Sequence, residues 1–174
     1  RSRGPSRGAA LTRPLDMAKR VKVMTVVVAY NAYKGGFFPR CLQALKAVKL
    51  ENADFTVDHQ IFVIDNASGD ETHAQVRKNF PYVECVLSQD NLGYAGGNNV
   101  GIERALSRQA DYVAVVTQDV TVSEDWLLES VAAAESDARI AVVQPLLLLW
   151  PNQGTVNSIG NEIHFLGYGY AGGY

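Results

Sequence analysis

Sulfur is scarce in this chain of 174 residues, which has two cysteines and two methionines. Cys41 and Cys85 lie far apart inside apolar segments, which reads as reduced, buried thiols. Histidine is as sparse, and His59, His73 and His164 are isolated from one another. No Cys or His pair has ligand spacing, so a zinc site is disfavoured.

Charge of one sign is also missing: 16 Lys and Arg against 18 Asp and Glu leave a net charge of −2. No basic field argues for a nucleic-acid partner or an anionic membrane. Long apolar runs are absent too. A bilayer span needs roughly 20 apolar residues, and Ile140 to Trp150 is shorter and interrupted by Gln144 and Pro145. The N-terminus has no apolar core of a secretory signal, so the Asn66-Ala67-Ser68 sequon carries no message. A dinucleotide fingerprint is missing where it would count, because AYNAYKGGF after the first strand lacks the spacing. Gly167, Gly169 and Gly172 do spell G-x-G-x-x-G, but neither a helix nor an acidic residue follows.

What is present is an ordinary globular composition, 47% hydrophobic and 20% charged, in a chain long enough for one domain with a real core. Residues 1–16, with Arg1, Arg3, Arg7 and Arg13 among Gly, Pro, Ser and Ala, read as a disordered or non-native leader. Residues 17–174 read as the folded domain. Val21 to Ala29 predicts a first strand, and Pro39 suits the first turn of a helix burying Cys41, Leu42, Leu45 and Val48. Gln60 to Ile64 predicts a second strand. Ser68 and Glu71 have capping-box spacing for a helix from about Gly69 to Asn79. Val83 to Leu87 follows as a third strand. Asn91 to Ile102 then bridges into a helix reaching about Ser107. Tyr112 to Val120 is a fourth strand, aromatic and β-branched. A helix capped by Ser123 and a strand at Ile140 to Val143 come next, and Gly160-Asn161 suits a hairpin turn.

Strands alternating with helices predict an α/β fold, a mainly parallel sheet with helices on both faces. Right-handed crossovers then bring every strand's C-terminal end to one rim, where ligands of open α/β sheets gather. Tyr30, Asp65, the Asn91 loop and Asp119 should meet there. Asp65 could read the imide N–H of a pyrimidine base or simply form a turn. Asp70, in the first helical turn, suits the helix dipole. The four glycines and three asparagines of Asn91 to Gly101 suit either a close backbone approach to a ligand or tight helix–sheet packing. Tyr30 could stack on a base or cap the core edge. Asp119, ending an apolar strand, could hold a divalent cation on a diphosphate or be a solvated loop residue.

VVVAYNA at Val26, VIDNASGDET at Val63, NLGYAGGNNVGI at Asn91 and TQDVTVSEDWL at Thr117 together resemble the family-2 glycosyltransferases. The likeness runs from about Val21 to Gly173 and is greatest to the rhamnosyltransferase branch of surface-polysaccharide assembly. It implies a GT-A, Rossmann-like nucleotide-sugar-binding fold. It also implies inverting transfer from a dTDP- or UDP-sugar, dTDP-rhamnose among them, to a saccharide or lipid-linked acceptor. The resemblance puts Ala29, Tyr30 and Asn31 at the base pocket and Asp65 on the base. Asn91, Gly93, Gly96, Asn98 and Gln118 border the nucleotide, and Asp119 contacts Mg²⁺ or Mn²⁺ on the diphosphate. Such an enzyme works in the cytoplasm, at the inner face of the membrane, with peripheral attachment and no transmembrane segment. Two departures stand out. Thr117 replaces the first Asp of the family's Asp-x-Asp triplet. No Glu-Asp segment for the catalytic base follows Gly160, and Glu162 is the last acidic residue. The expectation is therefore a domain incomplete at its C-terminal side, with its base beyond the chain end. The alternative is a non-catalytic nucleotide-sugar binding module.

Overall fold

The computed structural model describes residues 18–159, together with the backbone of 161–163 and 169–171. Strand β1, Lys19–Ala29, forms the centre, buried from Val23 onward because its valines meet helices on both faces. After a single 3₁₀ turn at Tyr33–Gly35, helix α1 runs from Phe37 to Lys46, with Pro39 in its first turn. Strand β2 is Phe55–Asp65, helix α2 Thr72–Asn79 and strand β3 Val83–Leu87. Helix α3 spans Gly93–Ser107, strand β4 Tyr112–Thr117 and helix α4 Trp126–Glu135.

These four strands form one parallel sheet in the order β3-β2-β1-β4. Side chains alternate across a strand, and β1 shows the consequence. Val27 and Ala29 pack with Phe38, Leu42 and Leu45 of α1 and Val76 of α2, while Val21 and Val23 pack with Leu127 and Val131 of α4. On the other face Met24 packs with Ala105, and Val26 and Val28 with Val100 of α3. The expected α/β sheet with helices on both faces is present.

Several elements differ from the sequence expectation. β2 begins at Phe55, five residues before the expected start at Gln60, because it pairs with β1 from Lys19↔Phe55 to Ala29↔Asp65. Polar side chains are tolerated there, and His59 Nε2 meets Thr25 Oγ1 at 2.8 Å. The capping box does not form: Ser68 Oγ accepts from Asn31 N–H, and Glu71 accepts from Gln75 Nε2. Ser123 offers its carbonyl, not its hydroxyl, to Trp126 N–H. β4 stops at Thr117, three residues early, and Gln118-Asp119 turns away. Ile140 to Val143 is not a strand: it is largely solvent-exposed and pairs with nothing among the described residues.

Beyond α4, β5 (Leu147–Leu148) pairs antiparallel with β6 (Val156–Ser158), and β7 (Asn161–Ile163) with β8 (Gly169–Ala171). The described pairings therefore do not include the hairpin expected across Gly160-Asn161. The leader, His164, and Gly167 and Gly172 of the glycine-rich tail lie outside the described residues.

Candidate functional site

All four strands of the large sheet run the same way, so their C-terminal ends share one edge. A cleft of about 410 Å³ opens there, between the ends of β1 and β4 and the start of α3. Val28 and Tyr30 come from β1 and its exit, Asn66 from the residue after β2, and Asn91, Gly93 and Tyr94 from the α3 entrance. Thr117, Gln118 and Asp119 close the β4 side.

Of the residues singled out by sequence, Tyr30, Asn91, Gly93, Gln118 and Asp119 line this cleft together. Hydrogen bonds tie its parts. Tyr30 N–H donates to Gln118 Oε1 at 3.0 Å, joining the ends of the two neighbouring strands. Asn31 N–H donates to Ser68 Oγ at 3.0 Å, and Asn31 Oδ1 accepts from Gly69 N–H at 2.9 Å. The loops after β1 and β2 are thereby locked to each other. Asn31 and Ala67 both hold positive φ, 48° and 61°. For alanine that backbone costs energy, and such strain gathers at functional rims.

Ala29, Asn31, Asp65, Gly96 and Asn98 do not line the cleft. Ala29 is core. Asp65 is 1% exposed: its Oδ1 accepts from Ser68 N–H at 3.0 Å, while its buried Oδ2 accepts no hydrogen bond among the described residues and lies 4.0 Å from His73 Nδ1. Asn98 is buried as well, donating Nδ2 to the Tyr94 carbonyl at 2.9 Å and leaving Oδ1 unpartnered.

The Asn91 segment is not a loop. The helix begins at Gly93, so Gly96, Gly97 and Gly101 are helical. A Cβ on Gly97 would stand 2.8 Å from Val28 Cγ1, and one on Gly101 2.2 Å from Val26 Cγ1. Of the two sequence readings, close helix–sheet packing holds for both residues. Gly93, with φ of +70°, makes the turn into the helix, a conformation glycine adopts without a Cβ penalty.

Sequence reasoning missed Asn66, Tyr94 and Val28. Asn66 is 2% exposed and spans the two loops with one amide. Its Oδ1 accepts from Leu92 N–H at 2.9 Å; its Nδ2 donates to Asn91 Oδ1 at 2.8 Å and to the Gly93 carbonyl at 3.1 Å. Burial also removes Asn66 as a glycosylation acceptor in the folded chain. Its signal was its place, a polar amide directly after a strand-ending carboxylate on the ligand rim.

Both cysteines are free. Burial, and then the nearby Asp119 carboxylate, push the Cys41 thiol up to about 12. Burial and the Asp65 carboxylate do the same to Cys85. Neither is a thiolate nucleophile at neutral pH.

No group of three or more Cys, His, Asp or Glu able to hold a metal exists among the described residues. Among the described residues, Asp119 alone offers the cleft a carboxylate. That donor set fits Mg²⁺ or Mn²⁺ bound with phosphate oxygens and water, since such ions take one or two carboxylates and keep the rest of their shell. It does not fit a cation caged by protein.

A parallel sheet ordered β3-β2-β1-β4, flanked on both faces and opening at its C-terminal rim, is a GT-A-like α/β fold. The chain belongs to Glycosyl transferase family 2, whose profile matches residues 25–156. Solved structures of S. aureus TarS share the fold. TarS 1–349 aligns with a TM-score of 0.52 at 22% identity, covering 66% of this chain and 32% of that one. TarS 1–349 in complex with UDP aligns at 0.52 and 19% identity, covering 75% and 43%. A longer TarS structure aligns at 0.51 and 21% identity, covering 66% and 20%. This chain thus spans less than half the length of each. No curated protein matches it.

Proposed function

We propose that this chain forms the donor-binding part of a glycosyltransferase, which moves a sugar from a nucleotide diphosphate to a saccharide or lipid-linked acceptor with inversion. The observation that carries this reading is the gathering of Tyr30, Asn91, Gly93, Gln118 and Asp119 on one cleft at the carboxyl rim. Ligands of such sheets bind there. The family membership and the fold shared with a UDP-complexed structure support it.

In this reading Tyr30 faces the base, and Asp65 Oδ2, which accepts no hydrogen bond among the described residues and has His73 Nδ1 at 4.0 Å, accepts the imide N–H of a pyrimidine. Asn91 and Gly93 border the nucleotide. Gln118 acts through Tyr30, whose backbone it holds, and Ala29, Asn31, Gly96 and Asn98 shape the walls from behind. Asp119 would hold Mg²⁺ or Mn²⁺, which when bound supplies positive charge against the departing diphosphate. Thr117 leaves the site with one carboxylate, which the ion tolerates. The rhamnosyltransferase-like sequence blocks favour a dTDP-sugar, with UDP-sugars next.

Among the described residues, Asp119 is the only carboxylate lining the cleft. The general base for the acceptor hydroxyl is therefore assigned to residues outside those described, and the folded unit is taken as 17–174. The same observation favours a second reading, a nucleotide-sugar binding module without turnover. No described helix is long and apolar enough to cross a membrane. The reading includes cytoplasmic work at the inner membrane face, with peripheral attachment.

Calorimetric titration of dTDP and UDP, with and without Mn²⁺, tests the proposal. Metal-dependent binding should appear, and Asp119→Ala should remove the metal dependence while the fold survives, because Asp119 is exposed. Asp65→Ala should weaken pyrimidine nucleotides with or without metal. Silence from the parent protein under every condition would sink the reading. Sugar transfer by the longest natural form of the chain separates the enzyme from the binding module.

A further inference from the structure

We propose that Tyr94 is the second aromatic wall of the base slot, facing the nucleotide ring that Tyr30 meets from the other side. The proposal rests on the nucleotide reading above and adds a residue that reading does not use.

The packing of α3 places it. Gly97 lies on Val28 and Gly101 on Val26, so four residues of helix match two residues of strand. The rises agree, about 6 Å of helix against nearly 7 Å of strand. The helix therefore runs antiparallel along β1. One turn before Gly97 brings the first turn of α3 over the position after β1, which is Tyr30.

Both tyrosines line the same cleft, and both are about half exposed, Tyr30 at 47% and Tyr94 at 54%. Their rings do not stack on each other or on another aromatic; the ring contact among the described residues is Phe80 with Tyr82. Two large, flat, half-apolar faces are thus left open on one cleft, neither stacked on another described ring. A pyrimidine base presents two π-faces and suits that arrangement, since base–aromatic stacking tolerates any base.

Tyr94 is also held firmly at its backbone. Asn66 accepts from Leu92 N–H and donates to the Gly93 carbonyl, and Asn98 donates to the Tyr94 carbonyl. The phenol side chain hangs on a fixed turn, with no hydrogen bond of its own among the described residues, so its substitution leaves the frame intact.

Titrations of parent, Tyr94→Ala and Tyr94→Phe with dTDP, with inorganic pyrophosphate and with a dTDP-sugar, all in Mn²⁺, test this. Tyr94→Ala should weaken dTDP by about tenfold to a hundredfold and leave pyrophosphate unchanged, while Tyr94→Phe should bind like the parent. Equal loss of pyrophosphate and dTDP would make Tyr94 a diphosphate or frame residue and overturn the proposal. A loss confined to the dTDP-sugar would give the ring to the sugar and overturn it too. A loss in Tyr94→Phe would assign the effect to the hydroxyl, against stacking. Parent protein that binds pyrophosphate but not dTDP defeats the base slot alone; parent that binds neither defeats the nucleotide reading with it.

Discussion

Asn66 shows how much one buried amide can organise. Both of its polar atoms are used, across three hydrogen bonds, and they join the exit of β2 to the entrance of α3. Asn66→Ala would leave Leu92 N–H without its acceptor and cost about 1–3 kcal/mol, read as a lower denaturant midpoint. It should weaken nucleotide binding as well, because Asn91 and Gly93 lose their anchor. Asn66→Asp keeps an acceptor for Leu92 but turns an oxygen toward Asn91 Oδ1 and the Gly93 carbonyl. Its nucleotide affinity should fall below that of Asn66→Ala, and titration of the two variants side by side checks the order. From sequence, the rim positions of Asp119 and Tyr30 were legible because they follow apolar strands, and that of Gln118 through the family resemblance. Asn66 was not, since a polar residue between Asp65 and Ala67 reads equally as turn chemistry. Only the path of the chain brings Leu92 to it.

Among the elements, α3 departs furthest from expectation. Glycine is a poor helix former, about 1 kcal/mol worse than alanine, and four of them between Gly93 and Gly101 argue for a loop. Packing reverses the argument, because Gly97 and Gly101 let the helix axis approach β1 more closely than any side chain would allow. Gly101→Ala would gain helix propensity yet set a Cβ 2.2 Å from Val26 Cγ1. The clash should prevail, with a net loss of about 1–3 kcal/mol in chemical unfolding. Nucleotide affinity should fall with it, since the first turn of α3 moves with the axis. The end of β1 and both ends of β3 were readable because apolar runs and flanking polar or turn residues agree there. The first half of β2 was hidden by Asp58 and His59, which pair along β1 without being apolar.

For the molecule as a whole, the parallel topology follows from strand–helix alternation and was open to reading, as was the rim where the cleft opens. Stability should depend on pH through His59. Burial first, and then the Lys46 charge, lower its pKa to about 4. The unfolded histidine, near 6.5, binds its proton earlier than the folded one. The fold's stability is therefore full above about 6.5 and declines as pH falls toward about 4, by up to roughly 3 kcal/mol. Chemical unfolding across that range should show the slope, and His59→Gln should flatten it. A second property follows from Leu146 to Trp150, which is solvent-exposed, with Trp150 at 61%. No charge interrupts residues 140–161. Apolar patches of this kind drive association, so sedimentation should show concentration-dependent self-association, reduced in Leu148→Glu.

The two valine–glycine contacts between β1 and α3 carry one more consequence, for how this chain can change over generations. Val26 and Gly101 divide a fixed volume, large on the strand and nothing on the helix. Two alanines would divide it evenly. Val26→Ala combined with Gly101→Ala should therefore recover much of what either loses alone, with a coupling that a double-mutant cycle measures. Such a pair drifts together or not at all. The tyrosine-lined mouth of the cleft, one helical turn further on, inherits its width from a bargain struck in the core.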